Sequence, residues 1–207
     1  MTLVTKDEAA RIAAAIAEAE KTTSGEIVAM ITAQSSSYAY VSVMWAAIAA
    51  LALPWPLIAW TWWPIQTIYV LQLLAFALLA VVLSQRPVRM WLVPASVKRA
   101  RAHRRAVEQF LAQNLHTTAG RTGVLVFVSV AERYAEILAD AAIHKLVPES
   151  EWQAIVDRLT AAIAQGRAAD GFIAAITDVG ERLARHFPPG SANPQELPNH
   201  LIVLPPE

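Results

Sequence analysis

The hydrophobic pattern of this chain changes abruptly twice. From Ile27 to Gln85, fifty-nine residues pass without one Asp, Glu, Lys or Arg. Inside that stretch lie two apolar runs, 41–60 and 64–83, joined by Trp60-Thr61-Trp62-Trp63-Pro64. Each run is about 20 residues, which at about 1.5 Å per residue matches a hydrocarbon core about 30 Å thick. The pattern predicts a transmembrane helical hairpin. A helix pair buried in a soluble core would carry some polar residues toward water, and these runs carry no charge at all. Pro54 and Pro56 fall late in the first run, so the helix either kinks there or ends early and continues as an interfacial segment.

On either side the pattern is that of a folded α/β domain. Thr5 with Glu8 three residues on is a capping box, opening a helix to about Lys21 with Ile12 and Ile16 on its apolar face. Ser24-Gly25 ends it. Glu26–Thr32 is short, β-branched and turn-bounded, and reads as a strand. After the hairpin, Pro87 and Pro94 punctuate a short amphipathic connector, and Ser96 is placed to cap a helix to about Leu115. Residues 124–130 form a nearly unbroken apolar run, which predicts a strand covered on both faces. Ala131-Glu132-Arg133 makes a tight link to a second strand, 134–140. Trp152, Ile155, Val156, Leu159 and Ile163 give a helix over 149–165. Asp170 is placed to cap the next, over 171–187, striped by Phe172, Ile176, Val179 and Leu183. Pro188, Pro189 and Gly190 stop it, and Pro194, Pro198, Pro205 and Pro206 mark an extended tail in which 200–204 is either a short edge strand or a docking segment.

These elements predict an α/β fold: a small mixed β-sheet sandwiched by helices, interrupted by a two-helix transmembrane hairpin. The division is 1–37 and 86–187 for the two parts of the domain, 38–85 for the hairpin and 188–207 for a Pro-rich tail. Two exits from the membrane would then tether one small domain.

Charge adds an orientation. Arg86, Arg89, Lys98, Arg99, Arg101, Arg104 and Arg105 follow the second span, and the connecting turn has no basic residue. The positive-inside rule then places both termini in the cytoplasm, with two spans and the connecting turn facing out. The N-terminal segment has no apolar stretch of signal-peptide type. Trp55, Trp60, Trp62, Trp63 and Tyr69 suit one headgroup belt, and Tyr38, Tyr40 and Trp91 the other. Seventeen basic and seventeen acidic residues give zero net charge, which predicts no nucleic-acid partner. The absence of cysteine excludes disulfides, thiolate catalysis and cysteine-ligated metals.

Gly123-Val124-Leu125-Val126-Phe127-Val128-Ser129-Val130-Ala131-Glu132-Arg133, followed by Ala135-Glu136-Ile137-Leu138-Ala139-Asp140, resembles the TPM domain family, with its glycine-led apolar strand, an Arg at the turn and a second strand ending near an acid. Thr5, Ser24-Gly25-Glu26-Ile27-Val28, Ala106 to Phe110, and Asp170-Gly171-Phe172-Ile173 match in the same order, so the resemblance covers most of 3–34 and 96–187. It implies a bacterial, membrane-anchored subgroup with an inserted hairpin. It also implies an accessory role beside a membrane complex, a LemA-type membrane protein as partner, and, in some relatives, phosphatase activity with calcium or another divalent metal. The family's Gly-Tyr-Gly-Leu-Glu-type segment is replaced here by Ala139-Asp140-Ala141-Ala142-Ile143-His144-Lys145, so no metal ligand carries over and no cofactor is assigned.

Asp140 and His144, four apart, would share a helical face as an acid–base or ligand pair, against a capping Asp and a surface His. Glu132 beside Arg133 would bind an anionic group, against a solvated turn. Asp7, Glu8 and Glu26 would form an acidic patch, against capping and exposure. Ser129 lacks the strand–turn–helix setting of an activated serine. The basic run Lys98, Arg99, Arg101, Arg104 and Arg105 is set to meet anionic lipid headgroups. Three functions follow. The first is a non-enzymatic module that binds or helps assemble a membrane complex. The second is a metal-dependent, phosphatase-like hydrolase. The third is a homo-oligomeric scaffold packed through Ala46, Ala47, Ala49 and Ala50.

Overall fold

A computed structural model describes residues 3–118, 120–189, 197 and 199–205. It divides into two compact units, one comprising the residues up to Ser36 and from Arg99 onward, the other Ser37–Lys98.

The first unit begins with α1 (Lys6–Glu20), opened by the expected capping box: Thr5 Oγ1 accepts the Glu8 N–H at 3.2 Å and Glu8 Oε2 accepts the Thr5 N–H at 2.8 Å. β1 (Glu26–Thr32) follows and is buried at all seven positions. It lies inside the sheet, covered on both faces, which is why its sequence does not alternate. Later come β2 (Gly123–Ser129) and β3 (Tyr134–Ala139), an antiparallel hairpin as predicted. β2 runs parallel to β1, from Glu26 opposite Gly123 to Thr32 opposite Ser129. The C-terminal segment settles as a strand, β4 (Leu201–Leu204), parallel to β1 on its other side. The sheet is thus mixed and four-stranded, in the order β3-β2-β1-β4. Pro194, Pro198 and Pro206 of the expected tail lie outside the described residues.

Each face of the sheet has its own core. On one, Ile27, Ala29, Ile31, Val124, Val126 and Val128 meet Ile12, Ile16, Trp152, Ile155, Phe172, Ile176 and Leu183 from three helices. On the other, Val28, Met30, Leu125 and Phe127 meet Ala106 and Phe110 of a single helix. Gly123 has to be glycine: a Cβ there would sit 2.4 Å from the Leu115 carbonyl oxygen.

The helix ends differ in places from the sequence reading. The helix after the hairpin, here α6, is Ala95–Ala112. It stops early because Asn114 turns left-handed at φ 58°, a conformation Asn tolerates. Asp140 caps a short α7 (Ala141–His144), and α8 is Glu149–Ala164. The last helix, α9 (Ala168–His186), starts before Asp170. Asp170 is therefore in the first turn, where the helix dipole favours an acid, and it takes Arg11 Nη2 at 2.8 Å.

The second unit holds α2 (Ala39–Ala52), α3 (Pro54–Trp60), α4 (Ile65–Leu83) and α5 (Arg86–Leu92). α3 continues directly from α2, with Leu53 still right-handed helical and Pro54 at the first position of the new segment. The prolines therefore interrupt the run without ending it. Ser42 Oγ donates to the Leu83 carbonyl at 2.7 Å, which brings the start of α2 to the end of α4, as in a hairpin. Ala46 and Ala50 are buried, so two of the four alanines serve packing within this unit. Ala39–Trp60 and Ile65–Leu83 are each long and apolar enough to cross a membrane, and little of either is buried.

Candidate functional site

The predicted site residues do not converge. Asp140 follows β3, and its backbone N–H donates to the Gly123 carbonyl at 2.9 Å. It therefore lies at the end of the sheet where Glu26 begins β1 opposite Gly123. Glu132 follows β2 at the other end. Six residue steps from Gly123 to Ser129, at about 3.3 Å each, separate the two ends by about 20 Å. Asp140 Oδ1 accepts the Ala141 N–H at 2.6 Å as a helix cap. His144 is exposed and is linked to Asp140 through its backbone N–H.

Glu132 is not a solvated turn residue. It is 7% exposed. Its Oε1 accepts the Ser35 N–H at 3.1 Å, and its Oε2 accepts Ser129 Oγ at 2.5 Å. Ser35 Oγ donates in turn to Ser129 Oγ at 2.6 Å. This chain closes the C-terminal ends of β1 and β2 by satisfying buried polar groups. Gln34 and Ser35 are buried in it.

At the opposite end, Glu20 Oε1 accepts the Ile27 N–H at 2.9 Å and Glu26 Oε2 accepts the Leu197 N–H at 3.2 Å. Burial, reinforced by the neighbouring Glu26 carboxylate, raises the Glu20 pKa to about 7, although the Ile27 bond opposes the shift.

A constellation that sequence reasoning missed joins α6 to β3. Glu136 accepts His103 Nδ1 at 2.9 Å and the Tyr134 hydroxyl at 2.9 Å. His103 and Glu136 are 33 residues apart, so no local spacing announces the pair. Tyr134 is held in its neutral form by burial and by the Glu136 carboxylate. Beside this cluster a groove of about 670 Å³ runs between β3 and α8, lined by Arg99, Arg133, Ile137, Trp152 and Val156 among others. A second cavity of about 450 Å³ shares Arg133, Tyr134 and Ala135 and reaches Ser129.

The basic run is divided by the helix that carries it. Lys98 Nζ donates to the Met90 carbonyl at 3.1 Å. Arg104 pairs with Glu108 at 3.0 Å and Arg105 with the same carboxylate at 3.9 Å. Arg99 lines the groove, and Arg101 is exposed. The divalent metal that the resemblance implies has no fitting donor set, since among the described residues no three His, Asp or Glu side chains gather to hold one.

A four-stranded mixed sheet covered by helices on both faces, interrupted in sequence by an apolar helix pair, defines an α/β sandwich with an inserted hairpin. Residues 82–182 match the TPM domain family. The fold of the chain is similar to the NMR structure of BA42 from the psychrophilic bacterium Bizionia argentinensis. The TM-score is 0.61 over 97% of this chain and 95% of that one, at 20% identity. No curated protein matches the sequence.

Proposed function

We propose that this protein is a membrane-anchored interaction module that binds or helps assemble a membrane protein complex. The hairpin crosses the inner membrane twice, with both termini cytoplasmic. One observation carries the non-enzymatic reading: Glu132 is committed to Ser35 and Ser129 at one end of the sheet, while Asp140 caps a helix at the other. A hydrolase needs such groups within reach of one bond. The anchoring rests on apolar side chains left open along the hairpin, such as Leu51, Leu74 and Leu78, each above 60% exposed, which water does not tolerate as a continuous surface.

Lys98, Arg101, Arg104 and Arg105 recur at three- and four-residue spacing along one side of α6 and meet anionic headgroups, at about 1 kcal/mol for each held near the surface. Arg99 faces away from that side.

The test is copurification of the tagged full chain from its native membrane after site-specific crosslinking, with a reporter fused after Glu207 to read topology. A defined membrane-protein partner and a cytoplasmic reporter are expected. Metal-dependent hydrolysis of p-nitrophenyl phosphate by the purified chain, lost in Asp140→Asn, would replace this reading with the hydrolase.

A further inference from the structure

β3 is an edge strand, paired with β2 on one side only. The bond from Asp140 N–H to the Gly123 carbonyl sets the phase of that pairing. In the observed register the directly bonded pairs then fall at Leu138, Glu136 and Tyr134, which turn both backbone groups toward β2. Ala135, Ile137 and Ala139 turn theirs outward. Among the described residues no hydrogen bond reaches these outward groups.

The groove lies along this edge. α8 forms its far wall and runs opposite to β3: Ala164, at the helix end, shares a cavity with Tyr134, while Glu149 and Trp152, at its start, share one with Ile137. Short side chains on that wall, Thr160, Ala161 and Ala164, leave room for a backbone between helix and strand. Trp152 is 3% exposed, and its indole N–H has no acceptor among the described residues. A buried donor of that kind favours a ligand that brings a carbonyl.

Charge gives the groove a direction. Arg133 and Arg99 line it, and neither has an ion-pair partner among the described residues. Of the acids along the middle of the groove, Glu136 already holds His103 and Tyr134, and Asp157 accepts the Gln153 side-chain amide. Glu149 lines the other part and likewise has no ion-pair partner among the described residues. A chain antiparallel to β3 would bring its C-terminal end to the arginines and its N-terminal end to Glu149.

From this we infer that the outer edge of β3 is a strand-addition site for an extended peptide of about six residues, antiparallel to β3 and acidic toward its C-terminus. The inference rests on the interaction-module reading and names the surface and the chemistry of the partner. Main-chain bonds to Ala135, Ile137 and Ala139 supply affinity, and Arg133 and Arg99 set the direction.

The test uses the full chain in lipid nanodiscs. The probe is a labelled ten-residue peptide of alternating valine and threonine, with lysine at its N-terminus and two aspartates at its C-terminus. Binding is read by anisotropy and by the amide shifts of Ala135, Ile137 and Ala139. Ala135→Pro removes an outward N–H and leaves the bonds to β2 intact, and it is expected to weaken binding at least tenfold. N-methylation of alternate peptide residues should abolish binding in one phase and be tolerated in the other. This arm uses the unaltered protein, so it decides the matter even if Ala135→Pro fails to fold. Arg133→Glu should weaken the acidic probe and favour one ending in two lysines.

Binding indifferent to methylation phase, or no binding by a chain that still copurifies with a membrane partner, would overturn the groove and leave the module standing. A dimer lost in Ala135→Pro would assign the edge to a second copy and also overturn the inference. Loss of the copurified partner in favour of phosphate-ester hydrolysis would instead remove the module reading.

Discussion

The two units of this protein use helices in opposite ways. In α9 the apolar residues form a stripe, and Phe172, Ile176, Val179 and Leu183 are all fully buried. In α4 apolar residues surround the whole helix, and only Ile68 is buried. One helix is stabilised by what it packs against inside the protein. The other leaves its apolar surface open. The difference teaches that hydrophobicity alone says little about where a helix belongs, and that its distribution around the axis says much more.

Truncating each helix sharpens the contrast. Phe172→Ala is expected to destabilise the domain by about 3–5 kcal/mol, through lost burial and the cavity left behind. Leu78→Ala, at a site 66% exposed, should leave the unfolding midpoint of the detergent-solubilised chain nearly unchanged. Equal losses at the two sites would mean that α4 is a core helix after all.

A charge reverses the ranking. Leu74→Arg places a cation midway along α4 and is expected to cost about 2.5–3.5 kcal/mol of membrane insertion. It should shift the protein toward the carbonate-extractable fraction. Ala154→Arg, on the exposed side of α8, should change stability by about 0.5 kcal/mol or less. If Leu74→Arg fractionates like the parent chain, the hairpin does not lie in lipid.

The same contrast explains what the sequence reveals and what it hides. The hairpin is legible because a charge-free run needs no partner to be recognised. α1 is legible because Thr5 and Glu8 are three residues apart, and β1 because its turn signals lie directly beside it. Contacts between distant residues carry no such signal. β4 reads only as an ambiguous apolar segment, since its partner β1 is more than 150 residues away. Asn114 ends α6 through a backbone angle that the apolar spacing of Phe110, Leu111 and Leu115 does not encode. At the candidate site, Asp140 and His144 attract attention by local spacing and turn out to be a cap and a surface residue. Glu136 and Ser35 acquire meaning only when the sheet brings His103 and Ser129 to them.

Within the hairpin, Ala46→Leu probes the one place where it resembles the domain. Ala46 is fully buried, and a larger side chain there should separate the two helices at a cost of about 1–3 kcal/mol. The same change at the exposed Ala49 should have little effect on a monomer. A detergent-stable oligomer lost only in Ala49→Leu would restore the scaffold, with the outward alanines as its interface.

The smallest effect lies at the two ends of α1, where two glutamates respond to opposite influences. Backbone and side-chain bonds from Thr5 lower the Glu8 pKa, so its contribution is present near neutrality and is lost as pH falls through the lowered value. Glu20 has the reverse sign. Its pKa is about 7 in the fold against 4.5 ordinarily. Between those values the folded chain holds a proton that the unfolded chain has released, so stability falls as pH rises from about 4.5 to about 7 and is flat above. Glu20→Gln retains an oxygen to accept the Ile27 N–H and removes the ionisable group. It should raise stability at pH 8 by about 1 kcal/mol, once screening by solvent at this half-buried site is allowed for, and leave pH 4.5 unaffected. Denaturant unfolding of the two proteins at both pH values measures this, and an equal difference at both would show that the carboxyl does not titrate in the fold as its burial beside Glu26 requires.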